Sequence, residues 1–316
     1  MKFKNQHILC FGEMLWDRLP GGSKPGGAPM NVALHLKRFG FSPWFVSRVG
    51  DDDAGKALIR FLKQNGIKTR LVQRGKTLPT SEVLVHIDKK GNPTYEICEP
   101  VAWDNIAWTQ TLSEKAQKAG VIIFGTLAAR SEITRQTLLN LLNTNAYRIL
   151  DVNLRPPYDR QDVVELLLSK CDFLKMSINE LHVIAKWLRL TWYDEERQAR
   201  EIADHYGLSG VCVTRGENGA SLLTSDQVWV EHPGYRVTVA DTVGAGDAFL
   251  AGLIYSFEQK KTPEEALTMA CAAGAFVATR EGATPDYSIQ DLQMIIDPAS
   301  SSPHEHASPP AGTNMD

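Results

Sequence analysis

Ala240-Asp241-Thr242-Val243-Gly244-Ala245-Gly246-Asp247-Ala248-Phe249 is the stretch on which the reading of this chain turns. Before it, Val237-Thr238-Val239 is β-branched and reads as a strand; after it, Ala248 to Tyr255 reads as the start of a buried helix. A small-residue turn between strand and helix leaves the first N–H groups of the helix uncovered. Unpaired donors and the helix dipole together make such a terminus an anion site. Asp247 falls in the first turn, beside that site. Phosphoryl transfer gives a carboxylate a reason to be there. The N–H groups of Gly244, Ala245 and Gly246 would hold the charge developing on the phosphoryl group, and Asp247 would take the proton of the attacking hydroxyl. Taken alone, the motif fits a plain helix-start acid after a tight turn equally well.

The pattern Asp241-Thr242-x-Gly244-Ala245-Gly246-Asp247 resembles the C-terminal signature of the ribokinase/PfkB sugar kinases. Far upstream, Gly26-Gly27-Ala28-Pro29-Met30-Asn31-Val32-Ala33 resembles that family's N-terminal glycine motif, in the form seen in fructokinase-like members. The two signatures stand in the family's order, and the resemblance spans residues 7–297. It implies an α/β fold: a ribokinase-like, mostly parallel central sheet with helices on both faces, plus a small β-sheet lid. The expected layout is one kinase domain over 1–297, with lid segments at about 13–24 and 69–104, and a tail over 298–316. That tail holds four prolines and repeated Ser and Ala, a composition that reads as disordered. Within it, His304-Glu305-His306 is too isolated for a metal site.

Bulk properties are those of a globular protein. The 316 residues are 43% hydrophobic and 22% charged, with a net charge of −3. No basic surface advertises nucleic acid, and no apolar run approaches the ~20 residues of a membrane span. The five cysteines, Cys10, Cys98, Cys171, Cys212 and Cys271, are odd in number and lack CxxC spacing. Neither structural zinc nor a disulfide framework is expected, and Cys10 and Cys212 read as buried thiols. With only Ile8–Phe11 apolar near the start, no secretory signal is read, and the expected compartment is the cytoplasm.

Along the chain, Ile8–Phe11 reads as a buried first strand that Glu13–Asp17 continues outward. The resemblance places Asp17 on sugar hydroxyls, where the plainer alternative is a solvated acid. Gly27 allows close approach of backbone to ligand, and Asn31 opens a helical pattern closing at Gly40. The Asn31 amide suits a sugar as well as a helix start. Gly50-Asp51-Asp52-Asp53-Ala54-Gly55-Lys56 matches GxxxxGK spacing, yet three aspartates and Ala57 argue against phosphate, so it reads as a loop entering the helix 56–65. Residues 81–87 and 94–98 alternate about a turn at 88–92 and read as a hairpin, which the resemblance assigns to the lid. His86 reads as lid surface, and Trp103 and Trp108 as packing at the lid hinge or sugar rim.

Strands and helices then alternate: 121–125 strand, 132–142 helix, 147–152 strand, 171–175 strand, and a small-residue helix over 266–279. Asn153 and Arg155 follow the third of these, past the carboxyl end of a strand, where α/β sheets bind ligands. The resemblance puts Asn153 on the sugar and Arg155 on the transferring phosphate; a surface ion pair is the alternative for Arg155. Ser177-x-x-Glu180 is similar to the family's NxxE, which implies Glu180 acting on Mg²⁺ through water. Thr214, Gly216 and Gly219 match the nucleotide side, as does Ser177, while Cys271 lies where relatives often carry Asn over the base. Main-chain carbonyls at Asp241 and Val243 are the expected seat of a monovalent cation such as K⁺.

The implied reaction is ATP-dependent phosphorylation of a small sugar, with fructose favoured by Gly12–Asp17, Gly26–Pro29 and Pro100–Asp104. Ribose, 2-keto-3-deoxygluconate and a nucleoside are alternatives within the family; a catalytically silent sugar-binding regulator is one outside it. Asp247 with an intact Gly-Ala-Gly argues against the regulator, since a binder needs no base. Exposed lid strands make a homodimer through the lid an expectation.

Overall fold

A computed structural model describes residues 7–19, 22–87, 93–191 and 194–298. Expectations for the turn at 88–92, the His86 side chain and residues 299–316 lie outside the described residues. In chain order, β1 (Ile8–Phe11), β2 (Leu15–Leu19) and β3 (Gly22–Gly26) precede α1 (Ala28–Arg38), β4 (Trp44–Gly50) and α2 (Asp53–Gln64). Then come β5 (Val72–Gly75), β6 (Ser81–Ile87), β7 (Pro93–Ile97), α3 (Gln110–Ala116), β8 (Val121–Gly125) and α4 (Glu132–Leu142). β9 (Tyr147–Asp151), α5 (Gln161–Leu168), β10 (Phe173–Ser177), α6 (Ile178–Trp187) and α7 (Glu195–Tyr206) follow. The chain closes with β11 (Gly210–Thr214), β12 (Ala220–Leu223), β13 (Trp229–His232), α8 (Ala245–Glu258), α9 (Pro263–Ala278) and α10 (Ile289–Ile296).

Among the described residues the main sheet has nine strands in the order β13-β12-β11-β10-β9-β8-β1-β4-β5. All pairings from β11 to β5 are parallel, and β12 and β13 add an antiparallel edge. Helices cover both faces. Ile8 and Cys10 point into one core with residues of α1, α2, α8, α9 and α10. Leu9 and Phe11 point into the other with α3 to α7. This is why β1 reads as an unbroken apolar run rather than an alternating one. Each such side chain contributes about 1.5–3 kcal/mol by leaving water. The small-residue character of α9 has its expected consequence: α8 packs so close that a Cβ on Gly252 would lie 3.1 Å from the Ala270 Cα.

The second sheet, β3-β2-β6-β7, is small and separate. The hairpin β6–β7 forms as read, and β2 joins it by a parallel pairing, Leu15 opposite Ser81. Three expectations need correction. Glu13–Asp17 does not extend β1: the chain turns at Gly12 (φ 149°) and β2 belongs to the other sheet. Not all of 69–104 belongs with the small sheet, because β5 pairs with β4 at the edge of the main one, and Trp103 is fully buried in the main core. Val237–Val239 forms no strand. Its β-branched residues find no ladder partner, and Val239 stays 58% exposed.

The GxxxxGK look-alike is a capped helix start. Asp52 accepts from Gly55 N (2.7 Å) and from both Thr80 N and Thr80 Oγ1, so its carboxylate is spent on tying α2 to the chain before β6. Cys10, Cys171 and Cys212 are buried free thiols. No helix among the described residues is long and apolar enough to cross a membrane.

Candidate active site

The carboxyl ends of the parallel strands and the N-termini of α1 and α8 converge on one place. At α8 the N-cap is Gly244, with φ 79°. A side chain there would be strained, and its Cβ would overlap the carbonyl of Ala283, which packs directly on the turn. Glycine is therefore demanded by both conformation and space. Ala245 N–H turns back to Thr242 O at 3.3 Å, so one of the three expected anion donors already has a partner. Gly244 and Gly246 N–H find no backbone acceptor among the described residues.

Asp247 lies in the first turn, as read, and is 9% exposed. Its Oδ2 accepts from Asn31 Nδ2 at 2.8 Å. The two signature motifs, distant in sequence, thus meet through one hydrogen bond. Asn31 is not the start of α1: Gly27 is the N-cap and the helix begins at Ala28, so the amide projects from the first turn. Its Oδ1 is buried and without a partner among the described residues. Burial pushes the Asp247 carboxyl up to about 7; Asp151 adds to the shift, and Asn31, Lys175 and Arg155 oppose it.

Asp17 reaches this region from β2. Burial raises its carboxyl to about 6, with Arg155 pulling it down and Asp241 pushing it up. Gly27 is where chain segments touch: a Cβ there would come within 2.5 Å of the Glu13 carbonyl. Asn153 is half-buried in a left-handed conformation (φ 43°) just past β9, and Arg155 beside it is exposed, donating to Leu154 O at 3.1 Å. Asp241 accepts from Val243 N and Gly282 N, both at 3.0 Å, and so pins the turn to the 280–283 loop.

On the other side of the α8 N-terminus opens a cleft of about 1010 Å³. Ser177, Thr214, Gly216, Gly219 and Cys271 all line it, together with Ala245 and Gly246. Gly274 of the small-residue helix lines it too, as do Asn179 and Tyr235, which were not singled out from sequence. Glu180 has structural partners that sequence did not reveal. Its Oε2 accepts from Ser177 N (2.7 Å) and Ser177 Oγ (2.9 Å) in a capping box, while Oε1 accepts from Leu154 N (2.7 Å). It clamps the start of α6 to the segment carrying Asn153 and Arg155.

Sequence reading also missed Lys175. Its Nζ donates to both oxygens of Asp151 at 2.9 and 3.0 Å, and both side chains are more than nine-tenths buried. A signal existed: Lys175 is a lone cation within the apolar strand β10, and Asp151 is the acid that stands opposite it in the β9 register. Burial disfavours the ammonium, but Asp151 outweighs burial and holds its pKa above the usual lysine range.

His35, on α1, supports the turn from behind. Nε2 lies 3.0 Å from Ala283 O and Nδ1 3.0 Å from Tyr287 Oη. A carbonyl only accepts, so Nε2 carries the proton and Nδ1 accepts from the tyrosine hydroxyl. Both nitrogens are satisfied in the neutral ring, and burial, with help from Arg38, lowers its pKa to about 3. Protonation is thus disfavoured in the folded state, whereas the unfolded chain takes the proton near 6.5. The His35 contribution to stability should fall by about 1.4 kcal/mol per pH unit below that point, until about pH 3. Asp247 and Asp17, whose carboxyls are raised, contribute slopes of the opposite sign over about pH 5–7 in wild type and His35→Gln alike. The test is therefore the difference in urea unfolding between the two proteins, which should grow as pH falls from 7 to 5; a difference independent of pH would exclude His35 as a source of pH dependence.

The family model described as pfkB family carbohydrate kinase matches residues 21–290. Fructokinase-2 of Zea mays is 28% identical over 89% of this chain and 91% of its own length. A fructokinase of Klebsiella pneumoniae is 28% identical over 88% of this chain and 95% of its own. The crystal structure of fructokinase with bound ATP from Xylella fastidiosa superposes with a TM-score of 0.80 at 25% identity, over 94% of this chain and 99% of that one. With the family match running over most of its length, and with both signature motifs meeting at one helix N-terminus, the chain belongs to the pfkB family of carbohydrate kinases.

Proposed function

We propose that this protein transfers the γ-phosphoryl group of ATP to a hydroxyl of D-fructose. Family membership makes it an ATP-dependent sugar kinase. The fructokinase relatives favour fructose among the sugars. The observation that carries the mechanism is the Asn31–Asp247 hydrogen bond at the mouth of the α8 N-terminus. Asn31 occupies Oδ2 and leaves Oδ1 of Asp247 to receive the proton of the attacking hydroxyl. Gly244 and Gly246 N–H hold the charge on the phosphoryl group, with Ala245 contributing once its weak turn bond yields. Arg155 approaches the same group from the β9 side. Asp17, Gly27, Asn31 and Asn153 hold the sugar, and the buried Oδ1 of Asn31 is an acceptor for one of its hydroxyls. The nucleotide lies in the cleft lined by Ser177, Thr214, Gly216, Gly219 and Cys271.

Mg²⁺ with ATP suits this donor set. No group of three or more ligating side chains occurs among the described residues. An ion here relies on nucleotide phosphates and water, as Mg²⁺ does, and Glu180 Oε1 keeps a lone pair for such a water. When bound, it neutralises charge on the phosphates. The carbonyls of Asp241 and Val243, to which no backbone N–H of the described residues donates, suit K⁺. The small sheet acts as the lid that keeps water from the phosphoryl group, inserted in a single kinase domain. Its edge strands β3 and β7 suit a homodimer. Five free thiols and the need for ATP fit the cytoplasm.

An ADP-release assay with Mg·ATP over fructose, ribose, glucose, 2-keto-3-deoxygluconate and adenosine tests the reading. Fructose should be turned over with the highest kcat/KM. Preference for another sugar would overturn the specificity alone; silence on all, with K⁺ present and the protein folded, would count against the kinase mechanism.

A further inference from the structure

Lys175 stands outside the substrate and nucleotide residues, yet it borders the reacting end of the site. An ideal Cβ built on Gly246 would lie 3.2 Å from Lys175 Nζ, so the ammonium packs closely against the place where Gly246 carries no side chain. The ammonium is held there by two hydrogen bonds from one carboxylate, Asp151, across adjacent strands. An ion pair this deep is costly to bury, and a purely structural site could use apolar residues instead. Its location next to the first turn of α8 gives it a different task. We propose that Lys175 is a positioning residue for phosphoryl transfer: paired with Asp151, it fixes a positive charge beside Gly246 and balances the acid that would otherwise repel the Asp247 carboxylate. The inference rests on the kinase reading above and extends it to a residue that does not line the nucleotide cleft.

The charged and titratable neighbours define the balance. Asp247 feels Asp151 from β9, Lys175 from β10 and Arg155 from the segment beyond β9, and it is hydrogen-bonded by Asn31 from α1. Lys175 feels Asp151, Asp247 and, from α6, Glu180. Cys212 of β11 stands opposite Lys175 in the sheet register, its thiol held un-ionised by burial. Removing only the cation leaves Asp151 as an uncompensated acid close to Asp247. The base should then ionise at higher pH. Removing both charges should restore a near-neutral surrounding.

The test compares wild type, Lys175→Met, and the double variant Asp151→Asn/Lys175→Met, which contains no lone buried charge and so guards against a folding failure of the single variant. The kcat/KM-versus-pH profile is measured on the sugar that wild type accepts. In Lys175→Met the acidic limb should move up by about one pH unit or more. The double variant should bring the limb back toward the wild-type position. A structural role alone would lower the unfolding midpoint without moving the limb. An unmoved limb in Lys175→Met, or a displaced limb that the double variant fails to restore, would overturn the proposal. Carbon-13 NMR titration of the Asp247 carboxyl, assigned with Asp247→Asn, reads the same balance without turnover. An Asp247 midpoint that is equal in all three proteins overturns the proposal even if every sugar is inert, whereas an inert wild type with a shifted midpoint faults the kinase reading instead.

Discussion

Asp247→Asn is expected to lower kcat by about 10²–10⁴-fold, the usual worth of a positioned general base, while sugar affinity by calorimetry changes little. The amide is nearly isosteric, and its oxygen still accepts from Asn31 Nδ2, so α1 and α8 stay in register. What disappears is the only function an amide lacks, proton acceptance. The same substitution should raise stability. The carboxyl ionises at about 7 in the folded protein against about 3.8 ordinarily. For an acid raised in this way, the folded state retains its proton longer, so stability is fully present below the unfolded value and declines as pH rises to about 7. At pH 8 the relief amounts to as much as about 4 kcal/mol. A variant that is inactive and harder to melt at pH 8, with the gain absent at pH 4, is the expected result. Near-normal turnover would remove Asp247 from the mechanism.

Gly244→Ala should be nearly as damaging by a different route. The residue would be forced into a left-handed conformation, a cost of about 1–2 kcal/mol, and its Cβ would overlap the Ala283 carbonyl. Either the turn or the 280–283 loop must shift, and the Gly244 and Gly246 N–H groups shift with it. Displaced anion donors cost about 10²–10³ in kcat. Gly207→Ala provides the comparison: Gly207 is also left-handed (φ 66°), caps α7, and has nothing within 4 Å of an added Cβ. It should lose stability and keep its turnover. If Gly207→Ala and Gly244→Ala lose activity equally, backbone strain rather than donor geometry is responsible.

The fold was largely legible because its signals are local. Four buried residues in a row at Ile8–Phe11, leucines at helical spacing over 132–142 and small residues over 266–279 each declare an element from a few neighbours. The convergence of the motifs was legible too, since either glycine motif alone is ambiguous but the two in one order point to a common place, where Asn31 meets Asp247. What stayed hidden depends on partners far along the chain. Val237–Val239 has strand propensity but no strand beside it. The parallel pairing of β2 with β6 is fixed by packing, not by any turn. The clamp made by Glu180 and the ion pair of Lys175 went unread for the same reason: an acid in a first turn and a lysine in a strand find these partners only in Leu154 and Asp151, which other parts of the chain deliver.

The central place of β1 bears on how this polypeptide is made. The strand is synthesised before both of its neighbours, β4 and, more than a hundred residues later, β8. At about 5–20 residues per second, roughly 6–25 s of synthesis separate β1 from β8. For that interval an apolar strand destined for the middle of the sheet has an open edge. The nascent chain is therefore open to misassociation at this strand until β8 has been made.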